Sequence, residues 1–269
     1  MLFFISWQFC IYLVFLLICV MLKEERHNYI LNEVRIHHRV MLGDVAESLK
    51  VSIDTVRRDV KELDADRLLK KVHGGAVSLD YNIYNYVGSE TYLQKNKVEI
   101  AKKAVKLLKD GQYILISGGT TNIEVIKQLP HNIKLTIFTP SLPIATQLLQ
   151  NPSVDVILIG GLMSKESQIS IGADTINALN QIKVDYCFLG TGYLSSEEGL
   201  TEYDYQVVQV KKAMIKAAKK TIILSVSAKL NSFQRFKTCD VNDIDTLITE
   251  LAPDDPKLDG FRKFPIEIL

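Results

Sequence analysis

From Lys97 onward, short apolar, β-branched runs alternate with helical segments, and that alternation leaves the larger part of the chain few architectures to choose from. The runs are Tyr113–Ser117, Leu135–Thr139, Val154–Ile159, Val184–Leu189, Thr221–Ser225 and Thr246–Thr249. Strand and helix in alternation predict an α/β domain with a mainly parallel, helix-covered sheet. Ligands of such sheets bind beyond the C-terminal strand ends, so the residues that follow each strand are the first candidates for a site.

Ser117–Gly118–Gly119–Thr120–Thr121 lies between a strand and a helix expected from about Asn122 to Leu129. Two glycines expose backbone N–H groups and the hydroxyls add donors at a helix N-terminus, which suits a phosphate. A Gly-Gly turn serves equally well as a tight connection. Gly160–Gly161 after Val154–Ile159 is a weaker instance, and Gly161 joins the candidates. Lys229 follows the strand Thr221–Ser225 and can supply a point charge to the same anion, or be a solvated surface lysine. Lys211, on the helix Tyr205–Ala218, reads as structural, and Glu197, Glu198 and Glu202 read as solvated surface carboxylates. This domain spans residues 97–252, a tail follows over 253–269, and a tyrosine- and asparagine-rich linker with Gly88 precedes it over 79–96.

The formal net charge is +1, so any argument for nucleic acid rests on where charge is placed. Residues 22–78 place it suggestively. A first helix covers Lys23–Val34, and a second begins near Leu42 with Val45, Ala46 and Leu49 inward. At Lys50–Val51–Ser52, Val51 plugs the angle and Ser52 caps the next helix. In that third helix Val56, Val60 and Leu63 form an inward stripe, leaving Asp54, Thr55, Arg57, Arg58 and Lys61 on other faces. A recognition helix needs this arrangement, since arginine bonds guanine bidentately and threonine reaches a thymine methyl. Leu69–Val77 reads as two short strands around a turn, a wing with Lys70, Lys71 and His73 near its tip. The DNA-contacting candidates are therefore Ser52, Thr55, Arg57, Arg58, Lys61, Lys70, Lys71 and His73. The plainer alternative is a three-helix interaction module whose acidic and basic residues pair along the helix.

Residues 1–21 form an apolar segment, and Met1–Leu22 carries no charge, which is long enough for a membrane span. A basic start and a small-residue cleavage site are missing, which argues against an export signal. Either translation starts at Met21, or the segment anchors the chain with Lys23, Arg26, Arg35 and Arg39 on the cytoplasmic side. Both readings put the rest of the chain in the cytoplasm, and membrane is a partner only under the second. Cys10, Cys19, Cys187 and Cys239 show no C-x-x-C spacing and read as reduced thiols; neither metal nor cofactor is expected.

Ser52–Ile53–Asp54–Thr55–Val56–Arg57–Arg58–Asp59–Val60 followed by His73–Gly74–Gly75–Ala76 resembles the signature of the DeoR family of bacterial regulators. Members begin close to a segment like Met21–Leu22–Lys23–Glu24–Glu25–Arg26. The resemblance continues through Ser141–Leu142–Pro143–Ile144–Ala145, Phe188–Leu189–Gly190, Gly199–Leu200–Thr201 and Val210–Lys211–Lys212–Ala213–Met214–Ile215. It implies a small N-terminal winged helix-turn-helix followed by a sensor domain sharing a fold with ribose-5-phosphate isomerase and glucosamine-6-phosphate deaminase. By the same resemblance Arg57 and Arg58 lie at the DNA with Asp59 steadying them, the Ser117–Thr121 loop holds phosphate, and Lys229 lies close by. The expected protein is a homo-oligomeric repressor of a carbohydrate operon that leaves its double-stranded operator when a phosphorylated sugar binds.

The departures matter too. Family members often carry aspartate where this chain has Ser117, asparagine at Pro140, Asp-Gly at Gly192–Tyr193 and aspartate at Val226. An isomerase or deaminase, the natural enzyme alternative, needs a positioned carboxylate near the phosphate loop, and Gly192 and Val226 stand where one would be sought. The expectation is a regulator, not an enzyme.

Overall fold

The stripe of the third helix closes the smaller of two cores. The computed structural model describes residues 21–79 and 92–269, which belong to two separate compact units. The apolar segment, apart from Met21, and most of the linker lie outside the described residues. Among the described residues no helix is long and apolar enough to cross a membrane.

The first unit runs α1 (Lys23–His37), β1 (Arg39–Met41), α2 (Leu42–Leu49), α3 (Ile53–Ala65), β2 (Lys70–Val72) and β3 (Gly75–Val77). Ile30 and Val34 of α1, Val45, Ala46 and Leu49 of α2, and Val56, Val60 and Leu63 of α3 meet in one core. Each of the valine, leucine and isoleucine side chains contributes about 1.5–3 kcal/mol when fully removed from water. The turn between α2 and α3 is set locally: Lys50 adopts the left-handed conformation, the Val51 N–H donates to the Ala46 carbonyl at 3.0 Å, and Ser52 Oγ accepts the Thr55 N–H at 3.1 Å.

Two features differ from the sequence reading. α1 runs a turn further, to His37, and the three-residue β1, too short to show a period, completes a three-stranded antiparallel wing in the order β1-β3-β2. That third strand accounts for Gly75. It faces Met41, and a Cβ there would collide with the backbone carbonyl of Val40.

The second unit begins with α4 (Gln94–Val105) and continues with β4 (Tyr113–Ile116), α5 (Thr120–Lys127), β5 (Leu135–Thr139), α6 (Leu142–Leu148) and β6 (Val154–Leu158). A small hairpin, β7 (Leu162–Met163) and β8 (Ser170–Ile171), precedes α7 (Ala173–Asn180) and β9 (Val184–Gly190). After β10 (Tyr193–Ser195) and β11 (Gly199–Glu202) come α8 (Tyr205–Ala217), β12 (Ala218–Leu224), β13 (Phe236–Cys239), β14 (Thr246–Ile248) and β15 (Glu267–Ile268). Seven strands form one parallel sheet in the order β15-β14-β12-β9-β4-β5-β6, and β10, β11 and β13 form a separate antiparallel sheet.

Alternate strand residues serve opposite faces. Ile114, Ile116 and Phe188 pack with Ile100, Ile123 and Ile144 of α4, α5 and α6, whereas Leu115, Cys187 and Leu189 pack with Leu179, Val210 and Met214 of α7 and α8. The order reverses between β4 and β9: β5 and β6 extend one way, β12, β14 and β15 the other. Crevices at such a reversal are where open α/β sheets bind ligands.

The domain limits read from the sequence need two corrections. The linker expected to reach residue 96 gives way to helix α4 at Gln94. The expected tail 253–269 is part of the unit: Leu258 and Phe261 are fully buried, and β15 adds a parallel strand beside β14. Short 3-10 turns and a two-residue strand carry no hydrophobic period, so this segment passed for a tail.

Candidate DNA-reading face and effector site

The face of α3 turned from the core exposes Ser52, Arg57, Arg58 and Lys61, with Thr55 half-buried at its start. Thr55 Oγ1 lies 2.9 Å from Ser52 Oγ, so both belong to the helix cap as well. Arg57 forms an ion pair with Asp54 one turn back, both side chains more than half exposed. On the wing Lys70, Lys71 and His73 are exposed, and the Lys71 N–H donates to Asp64 Oδ1 at 2.9 Å, fixing β2 against α3.

Asp59 does something other than the resemblance implied. Buried on the inner side of α3, it accepts from Arg26 Nε at 2.8 Å and Nη2 at 3.0 Å, with His27 Nε2 at 3.3 Å. Burial alone would raise its pKa; the Arg26 hydrogen bond and charge, with His27, outweigh that and hold the carboxyl below its ordinary value. It thus ties α3 to α1, and among the described residues it makes no hydrogen bond or ion pair with Arg57 or Arg58.

In the second unit the reversal point gathers a polar cluster. Ser117 follows β4 and is buried, its Oγ accepting from the Gly190 N–H at 3.1 Å and from Asn122 Nδ2 at 3.0 Å. The strand ends of β4 and β9 are therefore stitched together by this serine. Gly118 is half-buried against Ser141 and Ile169. Gly119 is exposed with φ +115°, a left-handed value that favours glycine, and precedes α5. The first hydrogen bond of α5 runs from the Ile123 N–H to the Gly119 carbonyl, so the N–H groups of Thr120, Thr121 and Asn122 come ahead of it. Thr120 is buried and Thr121 half-buried. Gly161 opens the β7–β8 hairpin with φ +143°, where a Cβ would meet Thr175 Oγ1, the hydroxyl that bonds the Gly160 carbonyl at 2.9 Å.

Cations converge on the same strand ends. Lys229 Nζ donates to the Thr191 carbonyl at 2.7 Å, and Lys211 Nζ donates to the Gly190 carbonyl at 2.8 Å while pairing with Glu202. Lys97 of α4 is buried and feels the charges of Lys229 and Glu124. Burial first, then Lys229, lowers Lys97 to about 7 against the partial support of Glu124. Burial lowers Lys229 to about 8, with Glu202 opposing and Lys211 adding to the shift. Glu250 fixes the approach of these two lysines: it accepts from Asn96 Nδ2 at 2.8 Å, beside Lys97, and from the Ser227 N–H at 3.0 Å, in the turn that carries Lys229.

A model of the DeoR-like helix-turn-helix domain matches residues 26–82, and a model of the DeoR C terminal sensor domain matches residues 93–251. The chain belongs to the DeoR family. Curated relatives include the HTH-type transcriptional repressor GlcR of Bacillus subtilis, 30% identical over 93% of this chain and 96% of that protein. The HTH-type transcriptional regulator GolR of Listeria innocua is 30% identical over 86% of this chain and 91% of its own. The glycerol-3-phosphate regulon repressor of Haemophilus influenzae is 30% identical over 87% and 92%. Among solved structures, ribose 5-phosphate isomerase A from Methanocaldococcus jannaschii aligns at 21% identity over 50% of this chain and 53% of that one, with a TM-score of 0.37, too loose a likeness to carry an argument. This DeoR-family chain is a DNA-binding transcription regulator with an α/β sensor domain, and by that family identity it is not an enzyme.

Residues that sequence reasoning passed over belong to this polar cluster. Glu202, read as a solvated surface carboxylate, is 6% exposed and paired to Lys211, because β11 lies under the end of α8 rather than at the surface. Lys97 left a signal: with Ile100, Ala101 and Ala104 it falls at i, i+3, i+4 and i+7 on the buried stripe of α4. A lysine in that register is either badly placed or needed. Glu250, which acts through contacts remote in sequence, left none.

Proposed function

We propose that this DeoR-family regulator represses a carbohydrate-metabolism operon and is released from its operator by a phosphorylated sugar. What supports the effector half is the β4/β9 reversal, where Ser117, just before α5, bonds the Gly190 N–H and Lys229 bonds the Thr191 carbonyl, with Lys97 near enough to feel the Lys229 charge. Backbone N–H groups and cations together form an anion receptor. Gly118, Gly119, Thr120 and Thr121 cradle the phosphate, Lys229 and Lys97 neutralise it, and Ser117 holds the loop in place. On the DNA side Thr55, Arg57, Arg58 and Lys61 read the major groove while Ser52, Lys70, Lys71 and His73 hold the backbone.

One short helix specifies few base pairs, so the working form is a homo-oligomer reading repeated half-sites. Support comes from β6, an edge strand of the large sheet with Ile157 40% and Leu158 44% exposed. Release follows from linkage: an effector that weakens operator binding has its own binding weakened by DNA to the same degree. Fluorescence anisotropy on a labelled fragment of the gene's own upstream DNA, at fixed salt, tests this with phosphorylated sugars and their unphosphorylated parents. Release by one phosphorylated sugar alone is the expected result. Specific DNA binding that no sugar phosphate alters would remove the effector and leave the DNA-reading half standing.

A further inference from the structure

Glu202 ends β11 beside Gly192, just past the end of β9, and it is more than nine-tenths buried. Both of its hydrogen bonds among the described residues use Oε1, which accepts from the Gly192 N–H at 3.2 Å and from the Lys211 ammonium. Oε2 accepts none. It occupies instead the space in which a side chain at residue 192 would begin: a Cβ built on Gly192 would run into Oε2 and Cδ of Glu202. A side chain at 192 and the Glu202 carboxylate exclude one another. The glycine is what makes room for the Glu202 carboxylate.

Its neighbours say what it can bind. Lys211 already matches its charge, and Lys229 is close enough to be influenced by it while bonding the carbonyl of Thr191, next to Gly192. A second cation has no charge left to satisfy, whereas a neutral O–H finds an acceptor in Oε2. We propose that Glu202 is the specificity-determining residue of the sensor, accepting a hydroxyl of the effector on Oε2 while the glycine loop and the lysines hold its phosphate. The ligand class is thereby narrowed from any phosphate to a hydroxylated phosphate ester. This rests on the effector reading above.

The test uses the full chain and calorimetry with inorganic phosphate, ribose 5-phosphate, glucose 6-phosphate and glucosamine 6-phosphate. The wild type is expected to prefer at least one ester over inorganic phosphate by about tenfold or more, the scale of one hydrogen bond to a charged group. Glu202→Ala is expected to lose that preference while inorganic phosphate binds at least as tightly as before, the negative charge near Lys229 having been removed. Gly192→Asp combined with Glu202→Ala returns a carboxylate to the same space, and it is expected to recover most of the preference, which a merely structural role for Glu202 would not produce. If Glu202→Ala retains the preference, or the double variant folds and binds phosphate without regaining it, the hydroxyl contact is wrong. Equal wild-type binding of phosphate and every ester would overturn the contact and leave the phosphate reading intact. No binding of any probe would overturn that reading, and this inference with it.

Discussion

The two charged regions of this regulator are built on opposite principles. On α3 the basic residues stand in water, and Arg57 shares its charge with a still more exposed Asp54. In the sensor unit Lys97 is buried and Lys229 half-buried, and burial lowers Lys97 to about 7 and Lys229 to about 8. Exposed cations are inexpensive to maintain and bind a polyanion by releasing its counterions, so they can be many and loosely placed. Buried cations lower stability until an anion arrives, so few are kept, and each must be held by its surroundings. One face is suited to a long, repetitive partner, the other to a small one that fits.

The largest effect that would sharpen this contrast comes from a residue in neither site. Asp59→Ala breaks a part-buried pair and leaves Arg26 without its carboxylate, which should destabilise the first unit by about 3 kcal/mol. Urea unfolding of the full chain should then show an early transition, with operator binding lost and effector binding kept. Coincident loss of both would mean the units do not behave separately.

Lys97→Met keeps the bulk of the stem and removes the buried charge. Effector binding should weaken by about 2–3 kcal/mol, measured by calorimetry against the wild type. A fall in ligand-free stability instead would mark Lys97 as a structural cation. On the other side of the comparison, Arg58→Ala should weaken operator binding by about 1–3 kcal/mol with no change in stability, and unchanged binding would remove Arg58 from the recognition set.

The pH dependence separates the regions more gently. In the folded, ligand-free protein Lys97 sits at about 7 and Lys229 at about 8, against an ordinary 10.5 for each. Between about pH 7 and 10 the unfolded chain therefore binds more protons, and ligand-free stability should rise with pH. A bound phosphate raises both lysines, so binding takes up protons and should weaken several-fold from pH 7 to pH 9, a range where the phosphate ester stays dianionic. Calorimetry in buffers of different ionisation enthalpy measures the uptake, and zero uptake would place the anion away from these lysines. Operator affinity over the same interval should change little. The smallest effect expected is Ser52→Ala, about 1 kcal/mol of stability from the lost helix cap, visible in thermal melts.

Much of the fold could be read before the structure, and the reason differs from element to element. Six strands of the large sheet and the third helix came through because each carries a local signal, an apolar β-branched run or an inward stripe. β1, the β7–β8 hairpin and β15 did not, being two or three residues long without the apolar run or turn signal that marked the equally short β14, β2 and β3. Within the candidate effector site the glycine loop was visible because glycines and hydroxyls after a strand have a local meaning. Glu202 looked like any other acid beside Glu197 and Glu198 until β11 was seen to run beneath α8.

Residue order alone settled the two-part organisation, the alternating architecture of the larger unit, the cap at Ser52 and the basic face of α3. All of these are written in neighbours a few positions apart, where periodicity and capping act. Tertiary structure decided that Asp59 answers to Arg26, 33 residues away, that Glu250 reaches Asn96 across 154, and that a carboxylate from β11 fills the space beside Gly192. Those pairings depend on which elements the sheet brings side by side, and no local pattern records the partner of a buried charge.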